Sequence, residues 1–178
     1  FRRSRGLGDV YKRQDLGSGT GAAFDQLLNY ETTAIDPDKK MLELNTFENK
    51  VLGSAENLPF EDNSFDNVFC CFVWRNVSDT NKALQEVFRV LRPGGKFVLL
   101  DMTRPKNPFL KILHKIGTFQ VLHLIGLLTF NLKEYRFLYK SLDFYPQPEE
   151  HLNKDNFIDL KIERMGVFNF VYLAVFTK

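Results

Sequence analysis

Apolar positions along this chain follow two different rhythms. Between residues 30 and 101, short apolar runs alternate with stretches of helical spacing. Residues 30–36 predict a strand ending in Asp36. Pro37 then suits the first turn of a helix over 39–47, where Met41, Leu42 and Leu44 share a face. Residues 51–53 predict a short third strand, and 54–64, rich in Pro, Asn and Asp, a loop. The near-continuous apolar run 65–73 suits a strand buried on both faces, as in parallel sheets. Ser78 or Asp79 can cap a following helix through Ala83, Leu84, Val87, Phe88 and Leu91, stopped by Pro93-Gly94-Gly95. Residues 96–101 then form an apolar strand ending in Asp101.

From 108 to 130 the rhythm changes to a long helical one, with Phe109, Ile112, Leu113, Ile116, Phe119, Leu122, Ile125 and Leu128. Lys111, His114, Lys115, Gln120 and His123 interrupt it, which makes a poor membrane span. It reads as an amphipathic cover over a ligand edge, with ordinary core packing, a membrane surface and a partner subunit in a homodimer left open as its contacts. A further helix over 132–145 carries Tyr135, Phe137, Tyr139 and Phe144 and ends at Pro146; a short one covers 148–156. Apolar runs at 158–164 and 168–177 around Met165 and Gly166 suggest an antiparallel hairpin. The expected architecture is therefore α/β. It is a Rossmann-like, doubly wound, mostly parallel sheet with a C-terminal antiparallel hairpin and an inserted helical cover at about 107–145. Ligands of such sheets sit beyond the carboxyl ends of the strands, where Asp15, Asp36, Ser54, Arg75, Asn76 and Asp101 gather.

Composition adds three constraints. The 178 residues suit about one domain, with 44% hydrophobic content and 18 phenylalanines. The two cysteines, Cys70 and Cys71, are adjacent, which gives neither a disulfide framework nor metal-ligand spacing; a reducing, cytoplasmic setting fits, and no metal is expected. The net charge of +2 comes from residues 1–14, which hold five of 24 Lys/Arg and one of 22 Asp/Glu, leaving 19 against 21 elsewhere, so no nucleic-acid partner is inferred. Lys12, Arg13 and Gln14 stand where a buried apolar strand should precede a glycine loop. Residues 1–14 resemble a translated sequencing linker and are treated as non-native, with 15–178 as a single, N-terminally truncated domain. The basic start is followed by no apolar signal core.

The chemistry centres on Asp-Leu-Gly-Ser-Gly-Thr-Gly at 15–21, followed by a predicted helix at 22–28. Glycine lets a turn pass close to a ligand, and a helix start favours anions. The spacing Gly17-x-Gly19-x-Gly21 departs from the dinucleotide pattern and weakens a nicotinamide reading. The pattern fits S-adenosylmethionine better. Asp36 is placed for a ribose diol, Ser54, Ala55 and Leu58 for an adenine slot, and Asp15 with the glycine loop for the amino-acid end.

These motifs, with Ala-Glu-Asn-Leu-Pro-Phe at 55–60, Phe-Val-Trp-Arg-Asn-Val at 72–77, Arg-Val-Leu-Arg-Pro-Gly-Gly at 89–95 and Tyr-Arg-Phe-Leu at 135–138, carry a resemblance over 15–178. The chain resembles class I methyltransferases, and among them the ubiquinone/menaquinone biosynthesis C-methyltransferase family. The resemblance implies a cofactor set of Gly17, Gly19, Thr20, Asp36, Ser54, Ala55 and Cys71. It also implies methylation of a ring carbon of a polyprenylated benzoquinol or naphthoquinol, a lipid substrate that brings the protein to the inner membrane face. Within that expectation Arg75 stabilises a phenolate and Asn76 orients a ring oxygen or a water; Trp74, Tyr135 and Ser141 are weaker substrate contacts. Serine at 54, cysteine at 71, Val73-Trp74 before Arg-Asn and His123 depart from the family pattern, and Trp74 is expected to reshape the ring pocket. Two other readings stand beside this one: a methyltransferase of the same fold acting at N or O of another small molecule, and an inactive cofactor-binding fragment with a disrupted first strand.

Overall fold

The computed structural model describes residues 11–22, 30–153 and 156–178. The predicted helix at 22–28, apart from its first residue, and the first ten residues of the linker-like segment lie outside the described residues. The strands are β1 (Lys12–Leu16), β2 (Glu31–Asp36), β3 (Asn49–Leu52), β4 (Phe65–Cys71), β5 (Leu91–Met102), β6 (Asp159–Met165) and β7 (Val171–Thr177). The helices are α1 (Lys39–Leu44), α2 (Thr80–Val90), α3 (Pro108–Leu128), α4 (Leu132–Phe144) and α5 (Pro148–His151). They build a seven-stranded sheet in the order β3-β2-β1-β4-β5-β7-β6.

β1 pairs in parallel with β2 and β4, and β2 with β3. The strand order reverses between β1 and β4, the switch point at which open α/β sheets open a ligand crevice. The last strands are antiparallel. Lys178 exchanges backbone hydrogen bonds with Gly94 and Gly95 at the start of β5, Thr103 donates to Phe170 past its end, and Ile158 donates to Thr177. The predicted fold class and terminal hairpin are thus observed.

Local differences have local causes. Pro37 stands just before the N-cap: Asp38 caps α1, accepting from the amides of Lys40 and Met41. Asp79, rather than Ser78, caps α2 by accepting from Lys82 N. β5 begins directly at Leu91, because Gly94 at φ 78 keeps the Pro-Gly-Gly segment in register with Lys178. α5 is shorter than expected, four residues closed by a capping box. β1 starts at Lys12, so the boundary expected at Asp15 falls inside a strand. Pairing on both edges is a backbone matter, and it accommodates Lys12, Arg13 and Gln14 despite their side chains.

The chain forms two compact units. The first holds the described residues up to 99 with 156–160 and 175–178; the second holds 100–153 and 161–174. In the first, an aromatic chain runs through the core. Trp74 packs on Phe97 (5.4 Å between centroids), Phe97 on Phe176 (5.4 Å), Phe176 on Phe157 (4.9 Å) and Phe157 on Phe88 (5.2 Å). In the second, α3 and α4 pack together across the short connection 129–131, and Gly126 lets the Leu132 backbone approach where a Cβ would stand 3.1 Å away. Beneath them lies a polar hub. The buried Arg104 guanidinium meets Asp143 (2.8 Å), Thr118 Oγ1 (2.7 Å), His114 Nδ1 (3.2 Å) and the Tyr139 carbonyl (3.3 Å).

Candidate cofactor cleft

The glycine loop leaves β1 and folds back on β2. The amides of Gly17 and Ser18 both donate to the Ile35 carbonyl (2.8 and 3.0 Å), Gly19 N donates to Asp36 Oδ2 (2.8 Å), and Gly21 N closes onto Ser18 O (2.9 Å). Gly17, Gly19 and Gly21 all have positive φ. Gly17 is required for a second reason: a Cβ there would fall 2.4 Å from the Val73 side chain. The loop amides expected to meet a ligand are therefore largely engaged in holding the loop itself.

Two carboxylates close this edge of the sheet. Asp36 Oδ1 accepts from Asp38 N (2.8 Å) while its Oδ2 holds Gly19, so its hydrogen bonds fix the loop to the end of β2. Asp15 is 3% exposed, and burial, with the nearby charge of Asp36 adding to it, pushes its carboxyl up to about 6. A buried carboxylate under that strain is stabilised by a cation.

The loop after β3 forms the opposite wall. Ser54 and Asn57 make an isolated antiparallel bridge, and Ala55 and Leu58 are buried. Glu56 ties this loop to the start of α2, accepting from Ser78 N (2.9 Å). Burial works to raise the Glu56 carboxyl. Backbone amides, including those of Ser78 and Asp79, and the Ser54 hydroxyl outweigh it and hold the group below its usual value. Further along, Glu86 accepts from Leu58 N (2.7 Å), and Arg89 donates to the carbonyls of Leu58 (2.9 Å) and Phe60 (2.7 Å). That pair spans one turn of α2 and pins the loop at its base.

After β4 the backbone passes through Phe72 at φ 60, a left-handed conformation uncommon for a large side chain, and enters a 3-10 turn, Trp74–Asn76. Gly17, Gly53, Ser54, Ala55, Val73 and Asn76 then line one cleft of about 230 Å³, with Glu56 and Ser78 at its side. Strain of this kind concentrates where a chain is held for function.

The structure thus brings Gly17, Ser54, Ala55 and Asn76 around one cleft, with Asp36 bracing the loop. Thr20 is exposed on the turn, and Arg75 is half-buried on the same turn as Asn76. Cys71 ends β4 and is exposed, while Cys70 takes the core position. Trp74 is 0% exposed against Phe97, so its bulk is absorbed by the core instead of shaping a ring pocket. Tyr135 and Ser141 belong to the second unit. Tyr135 lines a groove between α3 and α4, and the Ser141 hydroxyl donates to the Leu138 carbonyl of its own helix (2.8 Å). Sequence reasoning missed Asn45. Its side chain donates to Gly19 O (2.9 Å) and Ser18 Oγ (3.1 Å) and accepts from Phe47 N (2.9 Å), locking the glycine loop from beneath. It also missed Glu86 and Arg89, whose spacing of three on a helix was visible but whose loop partners were not.

A parallel sheet with a glycine loop after β1, an acid ending β2 and a cleft at the switch point define an α/β fold of the cofactor-binding class. Residues 29–164 match the model of the ubiE/COQ5 methyltransferase family. The chain is 38% identical over 153 residues to the ubiquinone/menaquinone biosynthesis C-methyltransferase UbiE of Rickettsia bellii and 42% identical over 153 residues to that of Rickettsia felis. Each alignment covers 82% of this chain and 61% of the relative. Among solved structures it resembles an S-adenosylmethionine-dependent methyltransferase from Thermotoga maritima (TM-score 0.65, 21% identity, 97% of this chain and 84% of that one). It also resembles phosphoethanolamine N-methyltransferase 2 from Haemonchus contortus in complex with S-adenosyl-L-methionine (TM-score 0.60, 20% identity, 90% and 36%). The chain belongs to the ubiE/COQ5 methyltransferase family. It spans 61% of the length of these curated relatives.

The methyl donor of this class is S-adenosylmethionine, and the residues present fit it. The molecule carries an ammonium and a sulfonium, and Asp15, a buried carboxylate, directly precedes Leu16 and Gly17, which line the cleft.

Proposed function

We propose that this chain holds S-adenosylmethionine in the cleft and directs its methyl group to a ring carbon of a polyprenylated quinol, a demethylmenaquinol or ubiquinol precursor. The observation that carries this reading is the position of Asn76 in the same cleft as Gly17, Ser54 and Ala55, one residue from Arg75, past the carboxyl end of β4. When bound, the cofactor supplies an electrophilic methyl on a sulfonium. What remains for the protein is alignment and charge control. Asp15 compensates the cationic amino-acid end, and Gly17, Gly19, Thr20, Asp36, Ser54, Ala55 and Cys71 surround the rest. A ring carbon attacks well once a neighbouring hydroxyl has lost its proton. Arg75 stays cationic and stabilises that phenolate, and Asn76 orients the ring oxygen or the water that takes the proton.

A second reading is supported by β1. Gln14 is fully buried with neither side-chain polar atom paired, and Arg13 Nε is likewise buried without a partner, although the guanidinium lies 3.1 Å over the Tyr30 ring. Such a strand suits a cofactor-binding fragment with 1–14 of foreign origin.

The test has two arms. Calorimetric titration of residues 1–178 with S-adenosylhomocysteine is expected to give saturable binding. Methyl incorporation into demethylmenaquinol by the gene-length protein is expected to fall at least a hundredfold in Arg75→Met and about tenfold in Asn76→Ala, with cofactor affinity little changed in Arg75→Met. Binding without transfer by the gene-length protein to any quinol would overturn the acceptor assignment and leave the cofactor site standing.

A further inference from the structure

Helix α3 is built inside out. Phe109, Ile112, Leu113, Ile116, Leu124 and Leu127 fall at spacings of three and four, or their multiples, on one face, and all six are at least 45% exposed. The opposite face carries His114, which is buried, and the half-buried Thr118, both bonded to the Arg104 hub. A helix packed on a watery protein surface does the reverse. The flank is equally unbalanced: residues 104–144 hold seven Lys/Arg against two Asp/Glu, while the rest of the chain holds 17 against 20. Lys133, Arg136 and Lys140, all exposed, recur at spacings of three and four on α4, and Arg136 and Lys140 stand at the rim of an apolar groove of about 150 Å³ between α3 and α4. Among the described residues, no helix is long and apolar enough to cross a membrane.

We infer that the α3–α4 hairpin docks in the plane of an anionic lipid bilayer, with the apolar stripe of α3 in the acyl boundary and Lys133, Arg136 and Lys140 on the lipid phosphates. Charge complementarity selects this occupant. A second protein copy would bring the same cations against themselves, whereas a bilayer surface accepts an apolar stripe flanked by lysine and arginine. The inference stands apart from the methyl-transfer reading, because docking needs neither cofactor nor acceptor.

Vesicle flotation of the 178-residue protein tests it. The protein is expected to float with vesicles of equimolar phosphatidylcholine and phosphatidylglycerol, to bind pure phosphatidylcholine at least tenfold more weakly, and to be released by high salt. Each of Lys133→Gln, Arg136→Gln and Lys140→Gln is expected to weaken binding about fivefold. Ile116→Glu, at an exposed site, is expected to abolish insertion while circular dichroism stays unchanged. Flotation indifferent to lipid charge, or no flotation by a protein of normal circular dichroism, would overturn the inference. So would reversible self-association removed by Ile116→Glu, which would assign the face to a second copy.

Discussion

Asp15 shows how burial can prepare a residue for a ligand. Its carboxyl is pushed from 3.8 to about 6 by desolvation and by Asp36. A raised carboxylate contributes stability that is fully present below its ordinary value and lost as pH rises through about 6, so the ionised Asp15 costs stability at neutral pH. Asp15→Asn is therefore expected to raise unfolding stability at pH 7 by on the order of 2 kcal/mol, read from denaturant midpoints, while weakening the cofactor. The ligand dependence runs the other way. Affinity for S-adenosylhomocysteine is expected to rise about tenfold between about pH 5 and about pH 7 as Asp15 ionises, and to be flat over that range in Asp15→Asn; calorimetry at stepped pH separates the two. Gln14 offers the opposite case, a buried amide with nothing to bond. An unsatisfied buried polar group costs about 1–3 kcal/mol, so Gln14→Leu is expected to raise the urea midpoint with an unchanged slope. The sequence marked Gln14 as misplaced because three polar residues stood where an apolar strand belonged. It gave no sign that Asn45 would hold the loop, because a single Asn after a short helix carries no signature of a partner 26 residues upstream.

The elements that read clearly were those whose pattern is set by burial on both faces or by strict helical spacing. β4, a near-continuous apolar run, and α2, with Ala83, Leu84, Val87 and Val90 all buried, were visible for this reason. β1 was not, since backbone pairing with two neighbours holds it against its own side chains. The loop between β1 and β2 depends on three such elements at once. Gly17 is fixed by its positive φ and by Val73, so Gly17→Ala is expected to weaken cofactor binding at least tenfold, and Val73→Ala in the same chain to restore only part of it, because the φ of +73 stays unfavourable for alanine. Asn45→Ala removes three hydrogen bonds from buried or partly buried groups and is expected to cost about 2–3 kcal/mol and to loosen the loop, seen as faster amide exchange at 17–21.

For the whole molecule, the second unit rests on a charge that the sequence presented as ordinary. Arg104 is 2% exposed and bonded to Asp143, Thr118, His114 and a carbonyl; Arg104→Met is expected to destabilise by about 1–3 kcal/mol, since it leaves His114 Nδ1 and the Tyr139 carbonyl without that donor, while Asp143 keeps its ion pair with Lys115 (3.1 Å). Burial, and then the Arg104 charge, hold the His114 imidazole below its usual range. A lowered histidine contributes stability that is present above its ordinary value of 6.5 and lost as pH falls below it, so melting temperature is expected to drop on acidification from 6.5, and less so in His114→Gln. The sequence by itself determined the alternation of strands and helices, the edge at which Asp15, Asp36, Ser54 and Asn76 would meet, and the family, because these follow from spacing and from motifs contiguous along the chain. Only the tertiary structure decided that the polar face of α3 turns inward onto Arg104 while its apolar face stays exposed, that Trp74 joins the core, and that the glycine-loop amides are consumed by Ile35 and Asp36. Periodicity reveals that a helix or strand has two faces; which face finds a partner is set by residues far away in sequence that only folding brings near.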